Sequence, residues 1–289
     1  MTRLTELEDA SPTVLVRVFP SLSAWTEKGA ESFLERVEGL LAKKSVVSIG
    51  LSGGQTPVPF FLAVAKKIAS WPEETKSRIR WFFSDERCVP PDSDQSNYRM
   101  AREALLVPGK IPEKSVFRIH GENPHPEREA LRYEKVLAEA LGTPLPHPPA
   151  LDIALLGVGP DGHTASLFPG TSPEEDRHRV VLAVPSIPGR IPRISLSYRT
   201  LAEAGTRIFL VTGKEKHDIL AAVLNPQGNL PTQWVLKEAE VRLHPTEFWI
   251  DQEACPQGIS QWADVRMEEG PPAPESAFPP QEPRLIEGK

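Results

Sequence analysis

A chain of 289 residues with 39% hydrophobic and 25% charged residues has the composition of a globular protein, sized for one large α/β domain or two small ones. Its two cysteines, Cys88 and Cys255, cannot build a disulfide framework, which fits a reducing, cytoplasmic setting. The net charge of −6 argues against bulk nucleic-acid binding, the acidic start MTRLTELEDASPT has no secretory character, and no stretch approaches the roughly 18 apolar residues of a membrane span.

Strand-like and helix-like patterns alternate along the chain. Val14–Phe19 reads as a strand, and Ser21 is placed to cap a helix whose apolar positions Trp25, Phe33, Val37, Leu40 and Leu41 recur at helical spacing. Val46–Leu51 (strand), Pro57–Ser70 (helix), Ile79–Phe83 (strand) and Asn97–Leu106 (helix) follow, then a strand at Ser115–Ile119 and a helix over Glu127–Leu141. Leu151–Leu156 is a nearly unbroken apolar run, as expected of a strand buried on both faces. Later strands are expected at Val180–Val184, Ile194–Ser197 and Arg207–Val211, with a helix at Lys214–Leu224. This order predicts an α/β fold: a single doubly wound, mostly parallel sheet with helices on both faces.

Two segments break the alternation. Thr143–Pro149 (TPLPHPP) reads as a stiff connector, since proline neither donates to a ladder nor continues a helix. From about Gln252 apolar anchors thin out and the text becomes GPPAPESAFPPQEP. The expected division is therefore an N-terminal extension at 1–12, an α/β domain at 13–255, and a proline-rich, disordered tail at 256–289.

Three strand ends carry residues suited to chemistry. Ser52-Gly53-Gly54-Gln55-Thr56-Pro57 links a buried strand to a helix; its glycines let the backbone approach a ligand, and the first helical turn offers free N–H groups to a phosphate. A plain tight turn explains the same glycines, and the spacing is neither a Walker loop nor a dinucleotide fingerprint. Ser84-Asp85-Glu86-Arg87 sits just past a strand, where ligands of open α/β sheets bind, although a solvated acidic loop reads the same way. Gly157-Val158-Gly159-Pro160-Asp161-Gly162-His163 is the sharpest: a buried strand runs into three glycines and presents an acid and an imidazole two residues apart. His163 there suits a general base, with Asp161 orienting its ring. Arg190, Arg193 and Lys216 recur near later strand ends; with Arg87 they supply the local positive field that an anionic substrate needs in an acidic protein.

Together SGGQTP, DERCVP with Ser96-Asn97-Tyr98, GVGPDGHTASLFPG, Arg193-Ile194-Ser195-Leu196-Ser197, VTGKEK and Trp249-Ile250-Asp251 resemble, in order, the 6-phosphogluconolactonase family. That family belongs to a larger group that includes glucosamine-6-phosphate deaminase. The likeness covers roughly residues 14 to 255, and GHTASLFPG is its most specific block. Deaminases resemble GHIAFNEPG there; in this chain Ser166-Leu167-Phe168-Pro169 puts no carboxylate at the glutamate's place. Gln55 replaces a usual serine, and Ser195 and Ser197 replace usual threonines.

The resemblance implies hydrolysis of a phosphorylated sugar lactone in the oxidative pentose phosphate pathway, downstream of glucose-6-phosphate dehydrogenase, with no cofactor and no metal. It implies His163, Asp161 and Asp85 as catalytic residues, and Ser52, Gly53, Gly54, Arg87, Arg193 and Lys216 around substrate and phosphate. Which cation meets the phosphate and which the oxyanion stays open, as does whether Asp161 or Asp85 supports His163. A monomer or small homo-oligomer is expected. The alternatives are an isomerase or deaminase on the same fold and a non-catalytic phosphosugar sensor. Against the sensor, no DNA-binding helix-turn-helix fits before Val14.

Overall fold

The computed structural model describes residues 14–170, 178–187 and 189–270. The expected extension at 1–12 and the tail beyond 270 lie outside the described residues.

Eleven strands are present among them: β1 Val14–Phe19, β2 Val47–Leu51, β3 Ile79–Phe83, β4 Asp85–Arg87, β5 Val116–Phe117, β6 Ile153–Leu156, β7 Val181–Val184, β8 Arg193–Leu196, β9 Thr206–Val211, β10 Thr246–Asp251 and β11 Asp264–Met267. Eight form one sheet in the order β11-β1-β10-β9-β6-β2-β3-β5, and every pairing in it is parallel. All positions of β2, β6 and β10 are buried. Successive strand residues point to opposite faces, so both faces of the sheet are covered.

The helices are α1 Leu22–Leu41, α2 Val58–Ile68, α3 Glu73–Ser77, α4 Asn97–Ala101, α5 Pro126–Leu141, α6 Tyr198–Glu203, α7 His217–Leu224 and α8 Pro231–Val241. Ser21 caps α1 as expected, its hydroxyl accepting from the Ala24 N–H at 3.1 Å, a bond worth about 1 kcal/mol. The apolar stripe of α1 delivers Trp25 and Phe33 to the ring of Phe60 on α2, at centroid separations of 5.8 and 5.6 Å. Phe60 in turn meets Trp249 of β10 at 6.2 Å.

Several expectations are corrected. The helix predicted over Asn97–Leu106 is α4 followed by one π-helical turn, Arg102–Leu106. Asp85–Arg87 is not a loop. It is a short strand in a second, antiparallel sheet ordered β4-β8-β7, which also takes the strands foreseen near 180 and 194. The sheet also continues past residue 255: β11 pairs with β1, and Glu268 accepts from Arg17 Nε at 2.6 Å. With Asp264, Arg266 and Met267 exposed, this strand carries the polar text of a solvated sheet edge, which is why it read as tail.

The winding matters for function. From β2 the chain moves out to β3 and β5, then returns to β6 on the other side of β2 and continues to β9 and β10. The sheet thus changes direction between β2 and β6, and the crevice beyond the strand ends there is where open α/β sheets take ligands.

Candidate active site

Four neighbouring strands, β9-β6-β2-β3, end at one cleft of about 230 Å³, and the loop after each contributes to its lining. After β2, Gly53 is required by crowding: a Cβ there would lie 2.2 Å from the Asn97 side chain. Gly54 has φ +86°, the left-handed region that glycine tolerates without strain. Ser52 Oγ is buried with no hydrogen-bond partner. So is Ser84 Oγ, just after β3, and both residues line the cleft.

After β6, the loop 157–163 turns the imidazole of His163 toward the cleft. A Cβ on Gly159 would fall 2.0 Å from the His163 ring, so the ring occupies space that only glycine leaves free. His163 Nδ1 is hydrogen-bonded to Asp161 Oδ1, and the His163 N–H donates to the same oxygen at 3.2 Å. Burial works to raise the Asp161 pKa, but the hydrogen bond and charge of His163 outweigh it and hold the carboxyl below its ordinary range. An ionised carboxylate only accepts, so Nδ1 is the donor in this pair, and it is the neutral ring of this tautomer that carries its lone pair on Nε2. Asp161 stands behind the imidazole and is not part of the cleft lining; Asp85, across the cleft, makes no bond to His163. Of these two acids, only Asp161 is hydrogen-bonded to the ring.

The cations come from two directions. In the antiparallel register of β4 with β8, Arg87 lies directly opposite Arg193. Like charges at such a pair are unfavourable. Burial first, and then Arg87, pull the Arg193 pKa below the ordinary arginine value, against the opposing influence of Asp85. Arg193 Nη1 is 4.0 Å from Asp85 Oδ2, and Arg87 Nη1 donates to the Gln95 carbonyl at 2.7 Å. The Nε of each arginine is buried and has no partner. Lys216 enters after β9 and donates from Nζ to the Val158 carbonyl at 2.8 Å, on the same loop as His163.

A buried polar network holds the arginine strand in place, and sequence reasoning missed most of it. Asp85 Oδ1 accepts from Asn97 Nδ2 at 3.1 Å, and Oδ2 accepts from Ser166 Oγ at 2.6 Å. The Ser166 N–H donates to Ser195 Oγ at 3.1 Å. Glu86 accepts from the N–H groups of Arg87, Asn97 and Tyr98 and from Ser96 Oγ, clamping β4 to the start of α4. Burial raises the Glu86 pKa despite those three backbone donors. The motif Ser96-Asn97-Tyr98 was a signal for this clamp, but not for which atoms meet. Cys88, beside Arg87, is no activated thiol: burial chiefly, with Glu86 and Glu129 adding, pushes it up to about 11.

All the predicted binding residues, Ser52, Gly53, Gly54, Arg87, Arg193 and Lys216, line this cleft together with Asp85 and His163. Among the described residues, no group of three or more His, Cys, Asp or Glu side chains could hold a metal ion, and no helix is long and apolar enough to cross a membrane.

A family model described as glucosamine-6-phosphate isomerases/6-phosphogluconolactonase matches residues 20–244. A 6-phosphogluconolactonase of Thermotoga maritima is 36% identical over 194 residues, covering 67% of this chain and 82% of the relative. The human 6-phosphogluconolactonase is 34% identical over 251 residues, covering 81% and 95%. Among solved structures, 6-phosphogluconolactonase from Trypanosoma cruzi superposes with a TM-score of 0.72 at 31% identity, covering 84% of this chain and 96% of that one.

Proposed function

This chain belongs to the glucosamine-6-phosphate isomerase/6-phosphogluconolactonase family, and from that premise we propose that it hydrolyses 6-phospho-D-glucono-1,5-lactone to 6-phospho-D-gluconate. The observation that carries the reading is the Asp161–His163 pair, opening onto the cleft into which Arg87, Arg193 and Lys216 project.

Ring opening of a lactone needs an activated water, a place for the oxyanion, and a hold on the remote phosphate. His163 Nε2 accepts a proton from water as its oxygen attacks the lactone carbonyl carbon. The resulting imidazolium is stabilised by Asp161. When the tetrahedral intermediate collapses, the bond to the ring oxygen breaks and His163 returns the proton to it, leaving a carboxylic acid and a free hydroxyl. General-base help of this kind contributes about 10²–10⁴-fold. We assign the Arg87–Arg193 pair to the phosphate dianion: two adjacent guanidinium groups with unpartnered buried Nε atoms gain most from an anion between them. Lys216 shares the His163 loop through Val158 and is assigned to the oxyanion. Asp85, held by Asn97 and Ser166, is assigned to a sugar hydroxyl. We place this reaction in the cytoplasm, consuming what glucose-6-phosphate dehydrogenase releases.

The test supplies freshly made lactone from that dehydrogenase and follows its disappearance above the spontaneous rate. Wild-type protein should accelerate it, and His163→Asn should lose about 10²-fold or more in kcat. Near-wild-type turnover by His163→Asn would refute the assigned base.

A further inference from the structure

Arg190 stands outside the cleft lining but touches two of the groups behind it. Its guanidinium carbon lies 3.4 Å from the centre of the Phe168 ring, a stacked cation–π contact. Its Nη2 is 3.7 Å from Asp161 Oδ2, whereas the other oxygen of that carboxylate bonds His163 Nδ1. The imidazole packs on the same phenyl ring at a centroid separation of 4.7 Å. Phe168 is only 5% exposed, so it is a fixed wall shared by the base and the guanidinium. Backbone hydrogen bonds run both ways between Ile187 and Arg190, at 3.1 and 2.9 Å.

We propose that Arg190 is a positioning residue for the reaction: stacked on Phe168, it holds Asp161 by its second oxygen, so that the first keeps His163 in the tautomer that leaves Nε2 free. This rests on the reading of His163 as the base. The geometry favours a support over a phosphate ligand. The charge of Arg190 is already engaged by a carboxylate and a ring, whereas Arg87 and Arg193 line the cleft and each keeps a buried, unpartnered Nε. Without Arg190 the Asp161–His163 pair would keep its own hydrogen bond but lose its outer anchor, and with the Asp161 side chain 37% exposed the pair could drift as a unit from its place in the cleft.

Removing Arg190 also changes the field at the imidazole. Among the described residues, the charged groups around it are Asp161 and Arg190 behind, Arg193 with its guanidinium carbon 5.5 Å from the Phe168 ring centre, Lys216 on the Val158 carbonyl, and Arg87 and Asp85 across the cleft. Loss of one cation from this set favours the protonated ring, so the acid limb of the kcat/KM profile should move to higher pH.

The experiment compares Arg190→Met, Arg190→Lys and His163→Asn in the full chain, with thermal midpoints recorded for each. For Arg190→Met we expect kcat lower by about tenfold, KM within about twofold, and the acid limb higher by about half a pH unit. Arg190→Lys keeps the charge but loses the planar stack, and should lower kcat severalfold while leaving the limb in place. An unmoved limb in Arg190→Met, a rise in KM with kcat retained, or wild-type kcat in Arg190→Lys each overturns the inference. Full activity in His163→Asn overturns the underlying reading instead, so the two failures are distinguishable.

Discussion

At the scale of single residues, the site is built from groups that are costly where they stand. Arg193 is half-buried opposite another arginine, with its pKa depressed and one N–H unpartnered. On the proposed function, a dianion bound between the two arginines would relieve both the repulsion and the missing hydrogen bond. Arg193→Met should therefore separate stability from activity. The thermal midpoint should stay level or rise, since the like-charge pair is gone, while kcat/KM falls by about 10–100-fold, mostly through KM. A fall in midpoint with KM unchanged would make Arg193 a structural residue. His163 and Asp161 were legible from their spacing after a buried strand, because i and i+2 in a tight glycine turn are covalently constrained to be close. The partners of Asp85 were not, since Asn97 and Ser166 lie 12 and 81 residues away.

At the scale of elements, short strands and turns set what the loops present. β4 has three residues, yet its register with β8 decides that Arg87 faces Arg193 and Asp85 faces Ser195. Slipping by one residue would turn each side chain to the opposite face. The strand escaped the sequence because three charged residues carry no apolar alternation; backbone pairing and the Glu86 clamp define it instead. A comparable clamp follows β5, where both Arg118 Nη atoms donate to Glu122, at 2.9 and 2.6 Å. Arg118 holds the Glu122 carboxyl down to about 2, against an ordinary value of 4.5. A carboxyl with a depressed folded pKa stabilises above its ordinary range and ceases to as pH falls toward the depressed value. The thermal-midpoint gap between wild type and Glu122→Gln should thus be largest near neutrality and shrink between about pH 4.5 and 2. The pair is partly exposed, so the neutral-pH gap corresponds to about 0.5–1 kcal/mol. A gap independent of pH would contradict the assignment.

At the scale of the whole molecule, the parallel sheet has a chemical end and a structural end. The loops that line the cleft leave the C-terminal ends of β2, β3, β6 and β9. At the start of β9 lies Arg207, fully buried, with its pKa brought down to about 10 chiefly by burial. It donates to Thr246 Oγ1 and to the carbonyls of Ala202, Ala204, His244 and Pro245, joining the turn after α6 to the start of β10. Arg207→Met should cost about 3 kcal/mol or more in denaturant unfolding, because those carbonyls stay buried and unpaired, yet leave kcat of the folded protein within about twofold. Loss of kcat without loss of stability would show that the two ends are coupled.

By itself the sequence determined the alternation of strand and helix, the strand ends that turn glycine-rich, and that Asp85, Arg87, His163, Arg193 and Lys216 stand near strand ends. These are local properties: hydrophobic period, turn chemistry, and residues a few positions apart. Only the tertiary structure decided that β4, β7 and β8 form a separate antiparallel sheet, that β11 extends the sheet edge, and that Arg190 backs Asp161. Each of those depends on pairing between distant segments, where hydrogen bonds and charges from elsewhere in the chain outweigh what the local residues favour.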